Sequence, residues 1–197
     1  MSEQILPQSK EVYTADEKKS ERRDNGRGEI TNGKPTANAG SNRRHNLIGS
    51  NTTIAIGSRL RGHKAEVYVN DMRVKIAPHN YCYPDVVIVA GEPQFEGNEL
   101  DILLNPTVIV EIMSRSTLYN DKTDKLDRYL AMDSVKEIML VKEEDARVEH
   151  YHKQTVNQWI YKIYANRDDV ISLESINCKI SLGEIYAQIK FGESSTK

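Results

Sequence analysis

Tyr83-Pro84-Asp85-Val86-Val87-Ile88-Val89 and Asn105-Pro106-Thr107-Val108-Ile109-Val110-Glu111 decide how this chain is read: Asp85 opens the first apolar run, and Glu111, 26 residues further on, closes the second. Short β-branched runs bounded by turn formers read as strands buried on both faces. Carboxylates are rare in such places, because burying an unpaired charge is expensive. Each strand therefore presents one acid at an end, and the two acids converge if the strands are neighbours. Two carboxylates ~4 Å apart repel by roughly 4 kcal/mol at an effective dielectric of about 20. A proton, a cation or a basic side chain must neutralise such a pair. A divalent metal and a Lys or Arg salt bridge are the two answers that the residues alone leave open.

Working outward, Asn42 or Ser41 caps a predicted helix that runs to about Leu60, where Gly62 supplies a stop. Its small residues Gly49, Ser50, Ala55 and Gly57 suit close packing. Glu66–Asn70 and Met72–Ile76 alternate like half-exposed strands, and Pro78-His79-Asn80 turns the chain into a strand over Tyr81–Ala90. Gly91–Asn105 reads as a polar loop with an apolar patch over Leu100–Leu104, Thr107–Met113 as the second central strand, Ser114–Leu118 as a turn and Asn120–Met132 as a helix. Val135–Lys142, Arg147–Lys153 and Gln158–Tyr164 follow as strands, and Ser181–Ile189 as a closing helix. The order predicts an α/β (α+β) fold with a mixed central sheet flanked by helices and additional antiparallel strands toward the C-terminus.

The 197 residues suffice for one domain with its own core. Residues 1–28 are polar and read as weakly helical or disordered, 29–190 as the folded domain, and 191–197 as a flexible tail. Asn32-Gly33 is a hairpin signal. No run approaches the ~20 apolar residues of a membrane helix, and the N-terminus lacks the apolar stretch of a signal peptide. Cys82 and Cys178 form neither a metal spacing nor a disulfide framework, so reduced thiols and a cytoplasmic location are expected. Residues 1–80 hold 14 Lys and Arg against 9 Asp and Glu, a net of +5, although the whole chain is at −2. Such a basic side either tracks phosphates or is a solvated arm.

Taken together, Tyr-Pro-Asp85-Val-Val-Ile-Val, Asn105-Pro-Thr-Val-Ile-Val-Glu111-Ile-Met-Ser114-Arg-Ser-Thr117 and Asp121-Lys-Thr-Asp-Lys125-Leu-Asp-Arg-Tyr129 resemble the Uma-type endonuclease family. That large bacterial family was long known only as a domain of unknown function, within the PD-(D/E)xK restriction-endonuclease-like superfamily. Ser134–Val141, the Arg147–Tyr151 strand, Trp159 and Ile180–Tyr186 fit the same pattern. The resemblance implies a restriction-endonuclease-like sheet with a four-stranded mixed core, and metal-dependent attack of water on a phosphodiester of DNA. It also implies a homodimer or higher homo-oligomer. An inert domain of this fold serving DNA binding or assembly, and a phosphodiesterase for a small nucleotide, are the alternatives.

By the same resemblance Asp85 and Glu111 hold Mg²⁺ or Mn²⁺, joined by the backbone carbonyl of Ile112. The superfamily lysine is expected at position 113, where this chain has Met113. Lys125 matches the members whose lysine has moved to the neighbouring helix. There an ammonium serves the attacking water or the transition-state charge, or else makes a plain helical ion pair with Asp121. Glu29 matches an early glutamate that completes the site, although Gly28, Lys34 and Pro35 depart from the pattern around it. His45 matches a histidine that touches the substrate backbone or the glutamate, and Asp121 is a second candidate contact. Asp71 reads as a bulge or turn residue, Ser114 and Thr117 as shaping the turn after Glu111, Trp159 as packing the last strands, and Tyr129, Met113, Met132 and Met139 as core.

Overall fold

The computed structural model describes residues 28–31, 34–37, 42–114 and 122–192, with side chains over 42–114 and 125–192. Expectations for residues 1–27, for the Asn32-Gly33 turn, for Ser41, Thr117 and Asp121, and for the last residues of the tail lie outside these. The elements in chain order are β1 (Gly28–Thr31), β2 (Lys34–Ala37), α1 (Arg43–Arg59), β3 (Ala65–Val69), β4 (Arg73–Ala77), β5 (Asn80–Cys82), β6 (Val86–Ala90), β7 (Ile102–Leu103) and β8 (Val108–Met113). Then follow α2 (Lys122–Ala131), β9 (Glu137–Lys142), β10 (Val148–Thr155), β11 (Gln158–Tyr164), β12 (Val170–Leu173), β13 (Cys178–Ser181) and α3 (Leu182–Ile185).

A six-stranded sheet, ordered β11-β10-β9-β8-β6-β3, holds the two apolar runs at its centre. All of its pairs are antiparallel except β8 with β9. A parallel pair needs a crossover, and α2 supplies it. β8 and β9 are buried almost throughout, which explains their unbroken apolar sequences. On one face lie α1, β12, β13 and α3, with Ile48, Ile56, Val86, Val110, Ile112 and Leu182 in the core between. On the other lie α2 and the smaller five-stranded sheet β2-β1-β5-β4-β7, around Val87, Ile109, Met113, Leu103 and Tyr129.

The structure departs from the sequence reading in four places. Tyr81–Ala90 is two strands in two sheets: β5 pairs with β4 and β1, and β6 with β3 and β8. The break falls at Tyr83-Pro84-Asp85, because proline has no N–H to donate to a ladder. Gly91–Asn105 is interrupted by β7, which pairs in parallel with β4. Residues 170–181 form an antiparallel hairpin, its alternate residues Ile171, Leu173, Cys178 and Ile180 buried. The closing helix is only Leu182–Ile185, begun by a capping box between Ser181 and Glu184. Of the small residues on α1, Gly49 is the close approach, since a Cβ there would stand 3.3 Å from Ile112 Cδ1, whereas Gly57 has open space around it. Asp71 is exposed in the turn after β3, where Asn70 has φ +53. Trp159 packs on the α2 side of the sheet beneath the Lys153 ammonium, 5.5 Å from the ring centroid.

Candidate active site

The β6–β8 register runs Val86↔Val110, Val87↔Ile109, Ile88↔Val108. One step beyond it, where β6 has begun only after Pro84, Asp85 stands opposite Glu111. Directly opposed residues in an antiparallel pair have Cα atoms about 4.5–5.5 Å apart. Antiparallel pairing is therefore what brings an acid at the start of one strand to an acid near the end of the other. The Asp85 carboxylate replaces the missing rung of the ladder: the Ile112 N–H donates to its Oδ2 at 2.7 Å. The N–H and C=O of a strand residue point to the same side, so the Ile112 carbonyl faces the same notch.

Helices α1 and α2 each send a basic side chain to one of the acids. Asn42 caps α1, accepting from the N–H groups of Arg44 at 2.8 Å and His45 at 3.0 Å, and so fixes the first turn. His45 Nε2 then lies 2.9 Å from Asp85 Oδ1. This hydrogen bond holds the imidazole above its ordinary 6.5, against the opposing pull of burial. From the other face of the sheet, Lys125 Nζ of α2 lies 2.7 Å from Glu111 Oε1, and the Tyr129 hydroxyl donates to the same oxygen at 2.6 Å. Lys125 and Tyr129 are four residues apart, hence on one face of the helix.

Glu111 is 8% exposed. Burial is the main cause that pushes its carboxyl up to about 7; the Lys125 charge opposes the rise and the Asp85 charge adds to it. Asp85, His45 and Ile112 also line an open pocket of about 300 Å³, with Ser50, Thr53 and Asn70 on its walls.

The structure thus puts Asp85, with His45 and the Ile112 N–H on it, and Glu111, with Lys125 on it, at neighbouring strand ends, and the pocket beside Asp85 is lined by neither Glu111 nor Lys125. His45 touches the aspartate, where the resemblance implied the glutamate or the substrate. Glu29 lies on β1, whose Ile30 pairs with Tyr81 of β5, two strand positions before the turn into Asp85; its side chain is outside the described residues. Three participants were not assigned to the site from sequence. Tyr129, read only as core, is buried and also bonded to Glu111; its place four residues after Lys125 was the available signal. Cys82 Sγ lies 3.2 Å from the Tyr129 hydroxyl. Glu143 is buried, accepts from Asn42 Nδ2 and steadies the start of α1. Its position depends on β9 ending beside β8, where the Glu143 N–H donates to the Met113 carbonyl at 3.0 Å, and no local pattern announces that.

The architecture is that of a nuclease-like α+β fold: it superposes on the structure titled "Crystal structure of a putative nuclease belonging to DUF820 from Anabaena variabilis ATCC 29413" with a TM-score of 0.65, over 81% of this chain and 89% of that one. At 15% identity this likeness speaks for the fold. The chain belongs to the Uma2 family, described as "Putative restriction endonuclease", whose model matches residues 14–183. Two relatives from Synechocystis sp. (strain ATCC 27184 / PCC 6803 / Kazusa) are similar to it. "Uncharacterized protein sll1609" is 34% identical over 123 residues, 62% of this chain and 70% of that protein. "Uncharacterized protein slr1290" is 24% identical over 164 residues, 83% and 85%. Among the described residues no helix is long and apolar enough to cross a membrane.

Proposed function

We propose that this protein is a divalent-metal-dependent nuclease that hydrolyses phosphodiester bonds in DNA. One observation carries the reading: Asp85 and Glu111, one step beyond the β6–β8 register, sit close enough for the Asp85 charge to act on Glu111, and each has a basic partner, His45 and Lys125. Membership of a family described as an endonuclease supports the same reading.

The donor set suits Mg²⁺ or Mn²⁺. Both are hard ions that take oxygen, and magnesium commonly uses one or two carboxylates, keeping waters and substrate phosphate for its other positions. Asp85 and Glu111 supply two such carboxylates; among the described residues no group of three or more His, Cys, Asp and Glu could hold a metal ion. Asp85, Glu111 and the Ile112 carbonyl are the residues that would hold the ion. When bound, such an ion lowers the pKa of water and shields charge developing on phosphate oxygens.

The chain's own groups do the rest. Glu111 accepts from Lys125 and Tyr129, so the ammonium stands beside the carboxylate, in place to hold the attacking water or to meet the extra negative charge on the phosphate. His45 fixes the Asp85 carboxylate from the opposite face, and the Ile112 N–H fixes its second oxygen. The pocket beside Asp85 admits substrate. Two copies acting together, one per strand, are the form in which such a site severs a duplex; sedimentation with and without DNA tests it.

Calorimetric titration with Mn²⁺ tests the site: one ion per chain is expected, with binding lost in Asp85→Asn and in Glu111→Gln. Binding that survives both substitutions overturns this assignment. A folded wild-type chain that binds no Mn²⁺ supports an inert scaffold of the same fold.

A further inference from the structure

We propose that Cys82, Tyr129 and Glu111 form a one-directional hydrogen-bond relay in which the thiol donates to the phenol and the phenol donates to the carboxylate, making Tyr129 the positioning residue that sets the orientation of Glu111 in the site. The positioning role rests on the metal reading above; the relay itself does not.

The three groups come from three elements. Cys82 ends β5 of the smaller sheet, Tyr129 lies on α2, and Glu111 on β8. Cys82 and Tyr129 are each 1% exposed, so water does not compete for these bonds. The direction follows from proton counting. Glu111 Oε1 is 2.7 Å from the Lys125 ammonium, which has only donors to offer, so this oxygen accepts. The phenol 2.6 Å away must then be the donor, and its single proton is committed to Glu111. The phenol oxygen can therefore only accept from Cys82 Sγ at 3.2 Å, and the thiol supplies the proton.

A purely packing role does not account for the hydroxyl. Tyr129 lies among Val87, Ile109, Met113, Val135 and Leu140, where a phenyl ring serves as well. A buried hydroxyl is retained where it has a partner, and here it has two. With Lys125 converging on the same oxygen, the carboxylate is held from two directions at one atom. Groups that orient a ligating carboxylate typically contribute about 10–100-fold to metal affinity.

Two measurements on the full chain test this. In calorimetry with Mn²⁺, Tyr129→Phe is expected to bind about 10-fold or more weakly while circular dichroism and urea midpoint stay near wild type. Cys82→Ser, whose hydroxyl also donates, should bind like wild type, and Cys82→Ala should fall between. Tyr129→Phe binding as tightly as wild type, in a protein where Glu111→Gln abolishes binding, overturns the positioning role. The second readout is independent of metal. In a Cys178→Ser background the remaining S–H stretch is expected at lowered infrared frequency, moving up when Tyr129→Phe removes its acceptor. A band that ignores Tyr129→Phe overturns the relay. If the wild type binds no Mn²⁺, the metal reading fails and the positioning role with it, while the infrared band still decides the relay.

Discussion

Glu111 holds its proton to about pH 7, well beyond the 4.5 of an ordinary glutamate, because burial outweighs the Lys125 charge. Between those values the folded chain binds a proton that the unfolded chain has released. Stability from this group is therefore fully present below pH 4.5 and falls as pH rises to about 7, on the order of 3 kcal/mol in all. His45 adds a loss in a higher window: its contribution is complete below 6.5 and fades as pH passes its raised value. Urea melts from pH 4.5 to 8 should show this decline in wild type and a flatter profile in Glu111→Gln. Equal slopes in the two proteins would contradict the burial account. Because a cation needs the ionised carboxylate, Mn²⁺ affinity should climb between pH 6 and 8 with release of a proton, readable as a buffer-dependent calorimetric heat.

At the scale of elements, two helix starts matter most. Asn42→Ala removes the cap of α1 and the Glu143 contact together; a loss of about 1 kcal/mol is expected in urea melts, with weaker placement of His45. On α2, Lys125→Met keeps the stem and removes the charge. Cleavage should drop by about 10²–10⁴-fold, and the fold should survive because Glu111 can protonate; an unchanged turnover would reduce Lys125 to a structural ion pair. The two acids stood out in the sequence because a carboxylate beside an apolar run is conspicuous, whereas Lys125 was singled out only through the family resemblance, since a lysine on a helix carries no signal of its own. The β5–β6 break was missed because the apolar character of Tyr81–Ala90 hid the signal in Pro84. The β12–β13 hairpin was missed although Val170–Leu173 and Cys178–Ser181 alternate, while α3 was drawn too long because Leu182, Ile185, Tyr186 and Ile189 keep helical spacing beyond its four residues. The partners of Glu111 and Asp85 depend on two helices approaching opposite faces of one strand pair, which no local window contains.

For the whole molecule, charge is divided along the chain: the first 80 residues are at +5 within a total of −2. If phosphate contacts dominate DNA affinity, the logarithm of the binding constant should fall linearly with that of salt concentration, with a slope near −0.9 per neutralised phosphate on duplex. A flat dependence would point to a small-nucleotide substrate. The most direct measurement is cleavage of supercoiled plasmid and single-stranded DNA in Mg²⁺, Mn²⁺ or EDTA, comparing wild type with Glu111→Gln, both verified as folded by circular dichroism. Metal-dependent nicking by the wild type that disappears in EDTA and in the variant is the predicted result. Cleavage that persists in Glu111→Gln, or in EDTA, would contradict the assignment of the Asp85–Glu111 notch as the catalytic centre.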